Sequence, residues 1–264
     1  MKTILDEIAE KTRERIARKK KEVPIEELFD RIQNRTETKE PFLFETSLGQ
    51  EGLSFICEVK KASPSKGVIA EEFPYLDIAK EYEKAGAAAI SCLTEPFYFQ
   101  GSDTFLEAIA REVQIPVLRK DFTVDPYMIY EAKAMGADAV LLICAILTEQ
   151  ELYDHLELAR SLGLSALVEA HSREEVEMAK RCHATMIGVN NRDLHTFQVD
   201  LQTSVRLREL VPDDVIYVSE SGIRTPEDVQ VLRENGTDAV LIGETLMRTS
   251  DKKKALRQLG GMES

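Results

Sequence analysis

The sequence is short of the residues that metal and redox chemistry draw on. It has four cysteines, Cys57, Cys92, Cys144 and Cys182, and no two of them stand at metal-ligand spacing. Three lie in apolar runs, so they are read as buried free thiols of a reducing cytoplasm rather than a disulfide framework. Histidine is as scarce, at four residues, and none sits in a cluster with cysteine or acid that would hold zinc. No metal and no cofactor is expected. No stretch nears the roughly 20 apolar residues of a membrane span. Asp6 and Glu7 interrupt the opening "MKTILDEIAE" where an export signal needs apolar residues, so a cytoplasmic protein is expected. Positive charge is in deficit as well: 34 lysines and arginines against 47 acids leave a net charge of −13. Such a chain repels nucleic acid and anionic membrane, and an anionic ligand needs a local basic site.

What is present is a repeat. The segments "KAGAAAISCL" (84–93), "AMGADAVLLI" (134–143), "SLGLSALVEA" (161–170) and "ENGTDAVLIG" (234–243) share one form: a helical tail, a glycine suited to ending it, and a short apolar strand. Gly86, Gly136, Gly163 and Gly236 are separated by two, one and three units of about 25 residues, the length of a β/α unit. "IPVLRKD" (115–121), "TMIGVNN" (185–191) and "DVIYVSES" (214–221) fill the gaps, and "LSFICEVK" supplies a first strand. Helical patterns at 76–85, 103–112, 126–135, 148–162, 173–181, 201–210, 225–235 and from about 244 alternate with the eight strands. Strict alternation implies a parallel sheet, and eight units in 264 residues imply a closed (β/α)8 TIM barrel, class α/β. An open doubly wound sheet is the alternative, but no glycine fingerprint follows the first strand. Residues 51–264 form the expected barrel. Residues 1–50 form an expected helical extension, with a Thr3–Asp6 cap pair, a partial stripe of Ile4, Ile8 and Ile16, and a second helix at "IEELFDRIQ" that covers part of the barrel. The run Arg18-Lys19-Lys20-Lys21 complements a helix C-terminus rather than nucleic acid.

Barrel active sites sit where the strands end. Here the first strand ends on Glu58 and Lys60, the third on Lys120, the fifth on Glu169, the sixth on Asn190 with Arg192 following, the seventh on Glu220 and Ser221, and the eighth on Gly243. Side chains alternate along a strand, so Glu58 shares a face with Lys60, Leu118 with Lys120 and Leu167 with Glu169. If that face points inward, lysines and carboxylates converge on one cavity. A single charge at a strand end is commonly just solvated; four strands repeating the pattern are harder to dismiss. The turns "SESGIRTP" and "IGET" follow the last two strands, where many barrels bind phosphate on backbone N–H groups and helix N-termini. Gly222, Gly243 and Glu244 are the candidates. His155 and His183 are read as bystanders, and His171 and His195 stay outside the set for want of a partner pattern. On these residues an aldolase using Lys120 as a Schiff-base nucleophile and a barrel that only binds a phosphorylated ligand remain open.

The stretches "PFLFETSL" (41–48), "CEVKKASPSKG" (57–67), "SCLTEPFYFQGS" (91–102), "LRKDF" (118–122), "ALVEAH" (166–171), "IGVNNRDL" (187–194), "VSESGI" (218–223) and "VLIGETLM" (240–247) go further. In this order they resemble the indole-3-glycerol phosphate synthase family of tryptophan biosynthesis, over nearly the whole chain. The resemblance implies a lyase that closes a ring on 1-(2-carboxyphenylamino)-1-deoxyribulose 5-phosphate, with loss of CO2 and water. It implies Lys120 as proton donor and Glu169 as its partner, with Lys60 and Glu58 available for the dehydration. Lys60 and Ser63 would meet the substrate carboxylate, while Asn190 and Ser221 would hold hydroxyls and Glu220 would line the cavity. Phe99, Phe122, Leu141 and Leu194 would take the aryl ring. Arg192, Gly222, Gly243 and the backbone of Glu244 would surround the phosphate. The implied partner is a phosphorylated small molecule, with no nucleic acid or membrane, and the implied state is a monomer.

Overall fold

The computed structural model describes residues 3–36, 39–193 and 196–261. Eight parallel strands close into a barrel: β1 (Ser54–Val59), β2 (Ala89–Leu93), β3 (Val117–Lys120), β4 (Ala139–Ile143), β5 (Ser165–Ala170), β6 (Met186–Asn190), β7 (Ile216–Glu220) and β8 (Ala239–Ile242), with β8 pairing back onto β1. Parity decides which residues fill the inside. In β1, Ile56 joins the inner cluster with Leu118, Leu141, Leu167, Val218 and Leu241. Its neighbours Cys57 and Val59 face outward, against the surrounding helices. Register carries the same parity around the barrel: Glu58 pairs with Ser91, Leu93 with Lys120, and Asn190 with Glu220, so the charged strand ends meet at one rim.

Outer helices follow each strand: α4 (Tyr75–Ala85), α5 (Asp103–Glu112), α6 (Pro126–Met135), α7 (Glu149–Ser161), α8 (Arg173–Arg181), α9 (Gln202–Arg208) and α10 (Pro226–Glu234). Gly86 and Gly136 end α4 and α6 at φ +94° and +89°, a left-handed conformation that costs a residue without a Cβ nothing. The last unit differs from expectation. Where one helix was expected from about 244, two short ones stand, α11 (Glu244–Met247) and α12 (Lys252–Leu259). Asp251 caps the second with its side chain and so starts a new helix rather than continuing the old one. The loop after β1 also carries a small antiparallel hairpin, Ala62–Ser63 on Gly67–Val68, that periodicity gave no sign of.

The first fifty residues do three jobs. Helix α1 (Ile4–Glu22) opens with the Thr3–Asp6 capping box and sets Leu5 and Ile8 onto the inner cluster at the strand C-termini. Helix α2 (Ile25–Gln33) packs Leu28 beside Ile16 against Tyr127 and Met128, on the barrel wall rather than over its mouth. Helix α3 (Leu43–Leu48) buries Phe44 and Leu48 in the same inner cluster from the other end, and the Leu48 carbonyl accepts from the Ser54 hydroxyl at the start of β1. The inner core is therefore closed at the base by α3 and covered on one side of the mouth by α1. Two residues of the basic run ending α1 meet acids of the barrel: Lys19 meets Asp103 and Glu131, and Lys20 meets Asp125 at 2.6 Å.

Candidate active site

A cavity of about 390 Å³ opens at the C-terminal rim. Its wall takes in every candidate residue read from the sequence except Leu194, which lies outside the described residues. At its floor Lys120 stands between two carboxylates: Nζ is 2.9 Å from Glu169 Oε2 and 2.6 Å from Glu220 Oε2. Glu169 spends its other oxygen on Asn190, whose Nδ2 donates at 3.2 Å. Beside them Lys60 donates to Glu58. Lysines from β3 and the end of β1, and carboxylates from β1, β5 and β7, thus share one space, as side-chain alternation along the strands requires.

These neighbours set the charges. Burial lowers the proton affinity of Lys120, but Glu169, Glu220 and Glu58 outweigh it and hold the ammonium above the usual lysine range. Burial also opposes the charge of Glu169, yet Lys120 and His171 hold this carboxyl well below the usual range. For Glu220 burial wins: its pKa is raised to about 7 against the pull of Lys120, with Glu169 adding repulsion. Two carboxylates on one lysine are driven apart, one ionised throughout the neutral range and one titrating within it. That split equips a site for proton transfer in both directions.

Phe99 and Phe122 lie with ring centroids 6.2 Å apart and tilted by 41°, and with Leu141, Leu5 and Ile8 they form an apolar slot beside Lys120. Opposite, Ser221 and Gly222 take left-handed φ values of 67° and 85°. Asn191 fixes this turn: fully buried in effect at 2% exposure, its Nδ2 donates to the Ser221 carbonyl and to Ser219 Oγ, both at 3.0 Å, and its Oδ1 accepts from Ser204 N at 2.9 Å. Thr245 donates to the Ile223 carbonyl at 2.8 Å and ties the turn to the loop after β8. Gly243 is needed for close approach. A Cβ there would collide with the Glu58 carboxylate and the Lys60 ammonium. The helix N-terminus expected to face an anion after β7 is otherwise engaged. The N-terminus of α10 is not open to a ligand, because Asp228 accepts from the backbone of Arg224 and Thr225, both at 2.9 Å, and completes a capping box. The cations around the turn instead come from Arg192, Arg224 and Arg248, which line the same end of the cavity with Glu244. Burial holds the Arg192 guanidinium below its usual range, Glu244 opposing this and Arg224 adding to it.

Comparison with known proteins decides between the barrel enzymes this geometry allows. The family described as indole-3-glycerol phosphate synthase matches residues 5–259. The chain belongs to the indole-3-glycerol phosphate synthase family. Relatives bearing that name are 55% identical over 98% of this chain and 99% of theirs in Ruminiclostridium cellulolyticum, and 49% identical over 97% and 98% in Lachnoclostridium phytofermentans. Among solved structures, the barrel is similar to 3-hexulose-6-phosphate synthase from Salmonella typhimurium, with TM-score 0.64 and 13% identity over 80% of this chain and 98% of that one. At that identity the likeness shows the fold alone.

Several residues of this synthase-family site escaped the sequence reading. Ile8 and Leu5 reach it from a helix that precedes the barrel by thirty residues and more of chain, and no strand-end rule points to them. Asn191 stands next to a chosen residue but faces away from the cavity. Arg224 and Arg248 look like ordinary helix-flanking cations, although Arg248 at four residues from Glu244, with 3.1 Å between them, was a detectable pair. His171 had been set aside, yet its ring contacts Glu169. His155 is buried in α7 against the Glu151 carbonyl, away from the site. Among the described residues no group of three or more His, Cys, Asp or Glu side chains is placed to hold a metal, and no helix is long and apolar enough to cross a membrane.

Proposed function

We propose that the chain converts 1-(2-carboxyphenylamino)-1-deoxyribulose 5-phosphate to indole-3-glycerol phosphate, CO2 and water, as a step of tryptophan biosynthesis. The observation that carries this reading is Lys120 held between Glu169 and Glu220 beside an apolar slot. The aryl ring lies between Phe99, Phe122 and Leu141. Its carboxylate meets Lys60 and Ser63. The ring carbon bearing the carboxylate attacks C2 of the sugar, and the carbonyl oxygen takes a proton from Lys120 as the C–C bond forms. The C–CO2 bond then breaks and its electrons restore the aromatic ring. In the second stage the new hydroxyl leaves as water. The proton it needs comes from Lys60 or Lys120, and Glu169 removes the proton from the adjacent ring carbon. Glu220, raised to about 7, gives Lys120 a group from which to recover its proton near neutrality. Glu58 orients Lys60. Asn190 and Ser221 hold the sugar hydroxyls. Backbone N–H groups at Gly222, Gly243 and Glu244 take the phosphate, with Arg192 and, beyond the residues chosen from sequence, Arg224 and Arg248.

Residues 51–264 are the catalytic barrel and residues 1–50 an extension that completes its two ends. We place the protein in the cytoplasm as a monomer, with no nucleic-acid, membrane or cofactor partner. The net charge of −13 supports this reading against a polyanionic partner. The charged state of Lys120 weighs against a Schiff-base aldolase, whose lysine must react as a free amine. Incubation with the carboxyphenylamino substrate tests the proposal. The chain has no tryptophan, so indole emission that grows with time comes from product. Absence of such emission at saturating substrate, with the fold intact by circular dichroism, would overturn it.

A further inference from the structure

Beyond Lys120 and its carboxylates, the rim holds a second charged chain that the reaction as derived does not use. His171, just past β5, lies between two acids. Its Nδ1 is 3.1 Å from Glu175 Oε2, and Glu175 Oε2 also accepts from the His171 backbone N–H at 2.7 Å. Its Nε2 is 3.2 Å from Glu169 Oε1, in ion-pair contact without hydrogen-bond alignment. Oε1 is the oxygen that Lys120 leaves alone. Glu175 is held in turn, its backbone N–H donating to the Ser172 cap of α8 at 3.3 Å. The order is Glu175, His171, Glu169, Lys120, Glu220, with alternating sign from an outer helix to the cavity floor. The ring is 15% exposed in its side chain, so this is not a solvated surface pair.

We propose that His171, clamped by Glu175, is a positioning residue that acts through Glu169: as an imidazolium it fixes the carboxylate rotamer and keeps Glu169 ionised for its role as base. The inference rests on Glu169 being that base. Two oxygens of one carboxylate face two different cations here. Lys120 must give up its proton during ring closure, and at that moment Glu169 would lose its principal counter-charge. His171 remains, so Glu169 is not free to take the proton meant for the substrate oxygen. A neutral imidazole could not do this, and the surroundings favour the charged form. Burial lowers the affinity of His171 for its second proton, but Glu169 and Glu175 outweigh burial and raise its pKa to about 10. The charged and titratable groups facing this pair are Lys120, Glu220 and Glu58 across the cavity and the buried Cys144 thiol beside Glu175. Cys144 is held neutral by burial, which raises its pKa out of the working range.

Two variants and two readouts test this. In His171→Asn, kcat should fall about tenfold with KM within about twofold of wild type, because an interaction of the base and not of the substrate is lost. The acid limb of kcat should move to higher pH, since a carboxylate facing one cation fewer binds a proton more readily. Glu175→Gln keeps an acceptor for the backbone N–H but removes one of the two charges on the ring. It should be near wild type at acidic pH and lose activity at lower alkaline pH than wild type does. The second readout is nuclear magnetic resonance of the imidazole Cε1–H, assigned by its loss in His171→Asn, which is practicable with four histidines. His171 should titrate near 10 in wild type and clearly lower in Glu175→Gln. A purely structural His171 would change protein yield and melting while leaving the pH profile superimposable. That superposition, or a wild-type His171 titrating in the ordinary histidine range, would overturn the proposal. Should the wild type prove inactive, the activity reading fails, while the imidazole titration still decides the charge state of His171.

Discussion

Three residues show how the site depends on atoms rather than on residue class. Glu169→Gln keeps the shape and the contact with Asn190 but removes the charge, so turnover should fall far more than substrate affinity. Steady-state kinetics check this, and a loss of affinity with kcat intact would make Glu169 a binding residue instead. Gly243 is the second case. Its substitution to Val pushes a side chain into the Glu58–Lys60 pair as well as turning the backbone after β8. Binding of the phosphorylated substrate should weaken, with each lost charge-assisted hydrogen bond costing on the order of 1.5–3 kcal/mol. Inorganic phosphate should cease to compete; equal inhibition constants in wild type and Gly243→Val would put the phosphate elsewhere. The third is His171. Strand-end reasoning found Glu58, Lys60, Lys120, Glu169, Asn190 and Glu220 because parity and position are written in sequence. It passed over His171 although that residue stands two positions after Glu169 and four before Glu175, spacings readable in sequence; what the chain alone does not give is that one ring meets both carboxylates.

Among elements, α1 lines the cavity without belonging to the barrel. Arg15 donates to both oxygens of Asp121, at 2.9 and 2.8 Å, and Asp121 also accepts from Thr94 at 2.7 Å and from the Phe122 N–H at 2.8 Å. Asp121 lies between Lys120 and Phe122 in the chain, so this one carboxylate fixes α1 to the segment bearing Lys120 and the apolar slot. Behind it Arg119, 1% exposed, joins Glu131 at 2.7 Å and Asp103 at 3.0 Å. Deleting residues 1–40 should therefore raise KM by removing Leu5 and Ile8 from the slot, while α3 still plugs the base and the barrel persists. Collapse of the circular dichroism spectrum in the truncated protein would contradict this. The milder Arg15→Ala should raise KM in the same direction, and unchanged kinetics there would separate α1 docking from substrate binding. The eight strands and their order were legible because a β/α unit repeats its glycine and its apolar run. An expectation that both leading helices cover the barrel mouth holds for α1, through Leu5 and Ile8, and fails for α2, which packs on the wall with Ile16, because an apolar stripe does not say where the next helix docks. The expected single last helix failed at Asp251, a cap residue that periodicity alone does not weigh.

For the whole molecule, the charges at the rim couple the site to pH. His171 has a raised pKa in the folded state, so its contribution to stability is complete below the unfolded value of 6.5 and is lost as pH rises toward about 10. Glu169 has a lowered pKa, so its contribution is present above 4.5 and is lost as pH falls below that. The difference in melting temperature between wild type and His171→Asn should shrink steadily from pH 6.5 to 10; a difference constant over that window would remove the ionic part of the contact. The net charge of −13 sets only an expectation against polyanionic partners, and it says nothing of where the four basic side chains Arg192, Arg224, Arg248 and Lys66 gather, which the closure of the barrel decides. That closure brings Lys120 between Glu169 and Glu220, and the account stands or falls on the proton Lys120 carries. The most direct measurement is the single-turnover rate of indole emission, with enzyme in saturating excess over the carboxyphenylamino substrate, in wild type and in Lys120→Ala. The rate should fall by roughly 10²–10⁴-fold in the variant while its circular dichroism spectrum matches wild type; comparable rates in the two proteins would contradict the assignment of Lys120 as the proton donor.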